Sequence, residues 1–175
     1  DLFVAVRGRH GDVRSRLACR RNRAGKGGAL VLDGEALELV SVTVDGVKHA
    51  AGSYDYAHDQ LTIPGPLPER LTLETVVRIA PDKNTQLSGL YRSRDGYFTQ
   101  CEAEGFRRIT FFPDRPDVMA KFSCTVEADR ARFPHLLSNG NPVADGLCTE
   151  DATRHWVRWE DPYAKPAYMF ALVAA

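Results

Sequence analysis

Gln100 and Glu102 stand two residues apart in the segment Thr99-Gln100-Cys101-Glu102-Ala103-Glu104-Gly105. On an extended strand that spacing sends both side chains to one face, while Cys101 and Ala103 turn toward a packed interior. The face then offers a carboxylate beside a carboxamide on rigid backbone, which suits the grip of an ammonium group and the peptide backbone next to it. A carboxylate facing an ammonium makes a charge-assisted hydrogen bond of about 1.5–3 kcal/mol, and the amide contact is worth about 1 kcal/mol. Taken alone, a glutamate on a strand more often simply faces water. Glu104 continues the same face and reads as structural or solvated. Arg107 and Arg108 read as ion-pair partners for nearby acids such as Asp114 or Asp117. In Phe112-Pro113-Asp114-Arg115-Pro116-Asp117, two prolines stiffen a turn that fixes how the Gln100–Glu102 strand meets the rest of the domain; no direct chemistry is assigned to it.

The elements that must position this pair are strands. Ala120, Phe122, Cys124, Val126 and Ala128 alternate with Lys121, Ser123, Thr125, Glu127 and Asp129, the pattern of a half-buried antiparallel strand. Leu71 to Ile79 alternates less cleanly. Leu37 to Val44 forms another run, and Asp45-Gly46 supplies a hairpin turn before Val47. His155 to Glu160 and Tyr168 to Val173 complete the set. Turns are expected at Asp33-Gly34, Pro64-Gly65-Pro66, Asp95-Gly96, Asn139-Gly140 and Asp145-Gly146. The best helical candidate is short, Pro116 to Lys121, with Pro116 at its first position. Trp156 and Trp159 fall on opposite strand faces, and at least one is expected in the core. The glycines in Arg20 to Gly28 predict a mobile loop. The fold class is therefore mostly β: an antiparallel β-sandwich or saddle-shaped sheet with little helix.

A chain of 175 residues, 43% hydrophobic, can bury one core and is read as a single domain over 1–175. Its formal net charge is zero, which argues against a dedicated binder of nucleic acid or of an acidic membrane. Residues 1–30 nevertheless hold eight Lys/Arg, from Arg7 to Lys26, against Asp1 and Asp12. No stacking aromatics are interleaved with them, so the stretch reads as a solvated strand and loop. Cys19, Cys101, Cys124 and Cys148 are too far apart for a Cys-x-x-Cys site, and a domain of this size needs no disulfide. The longest apolar run, Ala167 to Ala175, is too short to span a bilayer. No signal peptide is visible, so a reducing, cytoplasmic setting is expected. The start at Asp1 and the bare apolar end read as cuts within a longer protein.

Several segments together resemble one family. Asn84-Thr85-Gln86-Leu87-Ser88-Gly89-Leu90-Tyr91, the Gln-Cys-Glu segment, Phe112 to Val118, Leu137-Ser138-Asn139-Gly140-Asn141 and Pro162 to Ala174 are similar to the N-terminal domain of the bacterial aminopeptidase N family, zinc aminopeptidases of the gluzincin class. The likeness runs almost continuously over residues 84–175, loosely back through Leu30 to Pro81, and is faint before that. It implies that Glu102 helps bind the free α-amino group of a peptide substrate and that Gln100 contacts the substrate near its first residue. It also implies zinc in the full-length parent, peptide substrates with free N-termini, and a catalytic domain C-terminal to this chain.

That catalytic machinery is not in these residues. A gluzincin needs His-Glu-x-x-His on a helix, so that two imidazoles one turn apart meet one zinc and the glutamate activates water. None of His10, His49, His58, His135 and His155 begins that motif, and the family's Gly-x-Met-Glu-Asn strand is missing. No Gly-x-Ser-x-Gly elbow is present, and Gly25-Lys26-Gly27-Gly28 lacks the rest of a phosphate loop. Two readings stand. The chain caps the active site of a zinc aminopeptidase and helps bind the substrate's amino end, with no catalytic or metal residue of its own and no activity alone. Alternatively it is a stand-alone β-sandwich module for peptides or glycans, which the fold class would equally allow.

Overall fold

A computed structural model describes residues 1–22 and 28–175; the expected mobile loop falls largely on residues outside that range. The strands are β1 (Leu2–Arg7), β2 (His10–Arg20), β3 (Leu30–Asp33), β4 (Glu38–Val44), β5 (Val47–His49), β6 (Asp55–Ala57), β7 (Gln60–Ile63), β8 (Arg70–Ile79), β9 (Gly89–Ser93), β10 (Gly96–Gln100), β11 (Ala120–Asp129), β12 (Leu136–Ser138), β13 (Asn141–Leu147), β14 (Arg154–Lys165) and β15 (Leu172–Ala174). Among the described residues, helix is confined to three single 3-10 turns at Pro81–Lys83, Phe106–Arg108 and Ala167–Met169. The mostly-β expectation holds.

The strands make three sheets: an eight-stranded one in the order β13-β14-β11-β1-β2-β8-β4-β5, a four-stranded one, β12-β15-β10-β9, and a three-stranded one, β3-β7-β6. Pairing is antiparallel except between β1 and β11, which run parallel. The alternation read from the sequence explains the large sheet. In β8, Leu71, Leu73, Thr75, Val77 and Ile79 are buried, and Arg70, Glu74 and Arg78 on the other face are exposed. β11 spans the residues whose alternation predicted it. One apolar cluster joins the inner faces of all three sheets, from Val4 and Val126 through Leu61 to Tyr97 and Leu172.

The basic N-terminal strand is a solvated face with local partners. Arg7 lies 3.4 Å from Asp12 and 3.5 Å from Glu127, Arg16 lies 3.3 Å from Glu74, and Arg14 stacks over the Phe3 ring.

Several local expectations need correction. Pro116 to Lys121 forms no helix: Pro116 and Asp117 make a turn and β11 begins at Ala120, because six residues are too few to repay helix nucleation against a strong strand pattern. Tyr168 to Val173 is not one strand. After Pro166 the chain makes the 3-10 turn, so that Phe170 can point inward onto Phe106 and Phe122, and β15 starts only at Leu172. Asp145 and Gly146 lie inside β13, paired with Val157 and Trp156, rather than in a turn. Neither tryptophan is buried. β14 lies between β11 and the edge strand β13, which is itself largely exposed, so both tryptophans stay only partly covered. The Trp159 indole N–H donates to the Leu136 carbonyl at 3.1 Å.

Candidate functional site

β10 is the third strand of the four-stranded sheet, held between β9 and β15. It ends at Gln100. Glu102 is therefore not on the strand, and the expected shared face is replaced by a tight turn over residues 102–105. The two side chains nevertheless stay together. Both are exposed, and the Gln100 carboxamide donates to the Glu102 backbone carbonyl at 3.2 Å. Cys101 is buried as expected, at 3% exposure. Ala103, expected inside, is exposed because the turn lifts it away from the sheet.

The turn closes through backbone contacts. The Gly105 N–H donates to the Cys101 carbonyl at 2.8 Å. A β-carbon at Gly105 would strike the Gln100 carbonyl oxygen and come within 2.9 Å of the Gly89 nitrogen, so only glycine lets these two segments meet. Gly89 itself has φ +74, at the end of a loop in which the Asn84 carboxamide donates to the Ser88 and Leu90 carbonyls at 2.7 and 2.9 Å. The Asn84–Tyr91 segment thus forms the shelf on which the Glu102 turn rests.

Behind the turn the chemistry changes from apolar to ionic within two residues. Phe106 is buried edge-on against Phe112 and Phe170, at ring centroid distances of 5.2 Å each. Arg107 faces acids instead. Its Nε–H donates to Asp114 Oδ2 at 3.1 Å, its Nη2 donates to the Asp114 carbonyl at 3.0 Å, and Nη2 lies 3.4 Å from Glu104. Asp33 stands 3.9 Å from the same nitrogen and accepts the Asp114 N–H at 3.2 Å. Arg108 pairs with Glu35. Of the acids named as partners for the arginines, Asp114 is one; Asp117 pairs with Arg115 instead. Asp33 and Glu35 were missed, because some seventy to eighty residues separate them from the turn they brace and no local pattern signals it.

Burial is the largest influence on the Asp114 carboxyl and raises its pKa; Arg107 opposes the shift and Asp33 adds to it. Burial also disfavours the Arg107 cation, but hydrogen bonding to Asp114 and the charges of Asp33, Asp114 and Glu104 outweigh it, so its pKa is raised. The two directions are compatible because one guanidinium serves three carboxylates. Burial pushes the Cys101 thiol up to about 12, with Asp114 adding to the effect, which makes it unfit as a nucleophile.

Gln100 and Glu102 do not line the groove of about 500 Å³ that passes Met119, Tyr163 and Met169. They form an open rim. Among the described residues, no group of three or more His, Cys, Asp or Glu side chains could hold a metal ion. The residues present therefore do not fit a zinc site.

Fold and rim together define a β domain that exposes a carboxylate and a carboxamide on a closed, glycine-dependent turn. The chain belongs to the Peptidase M1 N-terminal domain family, whose model matches residues 9–169. It is 52% identical over 162 residues to aminopeptidase N of Caulobacter vibrioides, covering 93% of this chain and 18% of that protein. It is 49% identical over 145 residues to aminopeptidase N of Escherichia coli, covering 83% of this chain and 16% of that protein. The chain thus spans less than a fifth of the length of these relatives. Among solved structures, Legionella pneumophila aminopeptidase A in complex with aspartic acid superposes with a TM-score of 0.89 at 31% identity, over 99% of this chain and 20% of that one. A mutant M1 zinc metallopeptidase from Deinococcus radiodurans bound to a Tyr-Ser-Ala substrate shares the fold, with a TM-score of 0.81 at 14% identity, over 98% of this chain and 40% of that one.

Proposed function

We propose that this chain is the N-terminal domain of a zinc aminopeptidase and that it supplies the anchor for the substrate's α-amino group. The observation that carries the reading is the exposed Gln100–Glu102 rim, built on a braced turn in a chain of the Peptidase M1 N-terminal family. Glu102 accepts hydrogen bonds from the ammonium, Gln100 contacts the peptide near its first residue, and the domain caps the site formed with a catalytic domain C-terminal to it. A carboxylate at that end selects peptides with free N-termini. Zinc, the residues that hold it and the general base belong to the rest of the parent protein, so the isolated chain is inactive. A reducing, cytoplasmic setting suits the four unpaired cysteines. No helix of the described residues is long and apolar enough to cross a membrane.

The test is aminoacyl-anilide hydrolysis by the full-length protein, by the 175-residue chain, and by full-length Glu102→Ala, each with zinc. The expected result is an active parent, an inactive chain, and a mutant whose KM is raised and whose kcat/KM falls by tens to roughly a thousandfold while its fold is intact. An inactive parent would leave a free-standing β module to be explained.

A further inference from the structure

The ion cluster behind the turn is more elaborate than the fold requires. Phe106, packed among Phe112, Phe122 and Phe170, already fixes the 3-10 turn to the core. Buried ion pairs are weak sources of stability, since desolvation offsets most of their attraction, and their best use is to impose a geometry. Arg107 is placed to do that. Its own backbone N–H donates to Asp114 Oδ2 at 3.1 Å, and its side chain binds the same oxygen and the Asp114 carbonyl. It also reaches Glu104, two residues from Glu102, at 3.4 Å, and Asp33 at 3.9 Å. Asp114 is 3% exposed and is fixed in turn by the end of β3, through its N–H to Asp33. One planar guanidinium thereby ties the Glu102 turn to the Asp114 segment and to the end of β3, which is distant in sequence.

We propose that Arg107 and Asp114 are positioning residues for amine recognition: their pair sets the orientation of the 102–105 turn, and so where the Glu102 carboxylate meets the substrate's ammonium. The proposal rests on the amine-anchor reading of Glu102. It assigns neither residue any contact with substrate. Arginine is required because a lysine ammonium keeps the charge but cannot hold Asp114 Oδ2 and the Asp114 carbonyl with separate nitrogens while reaching Glu104.

The experiment is a double-mutant cycle in the zinc-loaded full-length enzyme, with Glu102→Ala, Asp114→Asn and both together, reading KM and kcat on an aminoacyl-anilide. Asp114→Asn should raise KM about ten- to a hundredfold, the scale of a misplaced contact group, with kcat changed far less. Because Asp114 acts through Glu102, the double variant should have the KM of Glu102→Ala alone. Losses that multiply, or an unchanged KM in folded Asp114→Asn, would overturn the proposal. If Asp114→Asn does not fold, Arg107→Lys takes its place in the cycle with the same expected rise in KM; there too, an unchanged KM overturns it. An unchanged KM in Glu102→Ala would overturn the amine-anchor reading and this one together. A raised KM in Glu102→Ala, with multiplying losses in the cycle, would overturn this one alone.

Discussion

The middle of the eight-stranded sheet and the turn that carries Glu102 are built from the same kind of sequence, and they are held in different ways. In β8 and β11 every second residue is buried in the core, the register is long, and any one contact is a small part of the whole. The turn after β10 has no such redundancy. Its conformation depends on Gly105 lying against Gln100 and Gly89, on Phe106 entering the core, and on Arg107 reaching three acids. A sheet spreads its specification over many weak contacts, whereas this exposed turn concentrates it in a few. Damage should therefore separate: sheet substitutions cost stability, and turn substitutions cost recognition.

Among substitutions that leave Glu102 itself in place, Gly105→Ala gives the largest effect expected for the turn. The new methyl cannot coexist with the Gln100 carbonyl, so the turn must move, and kcat/KM of the full-length enzyme should fall about a hundredfold. Steady-state kinetics on a folded variant checks it; wild-type kinetics would mean that the turn's position is unimportant. Leu73→Ala, in the middle of β8 with no exposed surface, should do the opposite. It should lower the unfolding free energy of the 175-residue chain by about 2–5 kcal/mol, measured in urea, and leave KM of the folded enzyme unchanged. An effect of Leu73→Ala on KM would blur the contrast.

The smallest effect is a pH dependence. The pKa of Asp114 is raised above its ordinary 3.8, chiefly by burial, so the folded chain keeps that proton to a higher pH than the unfolded chain does. The stability this group contributes is then present below 3.8 and is lost as pH rises through the folded value. The difference in unfolding free energy between wild type and Asp114→Asn should accordingly fall with rising pH across that window and then level off. A difference that grew with pH would mean that Arg107, rather than burial, governs the carboxyl.

The large sheet was legible because its signal is local. Period-two burial needs only neighbours in the chain, and β8, β11 and the β4–β5 hairpin follow it closely. At the site the residue types were legible and the geometry was not. The Gln100–Glu102 spacing suggested a shared strand face, but the strand stops at Gln100 because Gly105 folds the chain back onto its end. The Tyr168 to Val173 run misled for a related reason: Phe170 had to reach the Phe106 cluster, and a straight strand after Pro166 would not deliver it.

The sequence by itself determined a mostly-β chain, the strands whose alternation is clean, and the pairing of a carboxylate with an amide near residue 100. Those follow from side-chain period and residue chemistry, which are properties of short windows. Only the tertiary structure decided that Glu102 sits on a turn, that the β1–β11 pair is parallel, and that Asp33 and Glu35 come to brace Arg107 and Arg108. Each of those depends on contacts between segments far apart in the chain, where the chain's own periodicity carries no information about the partner.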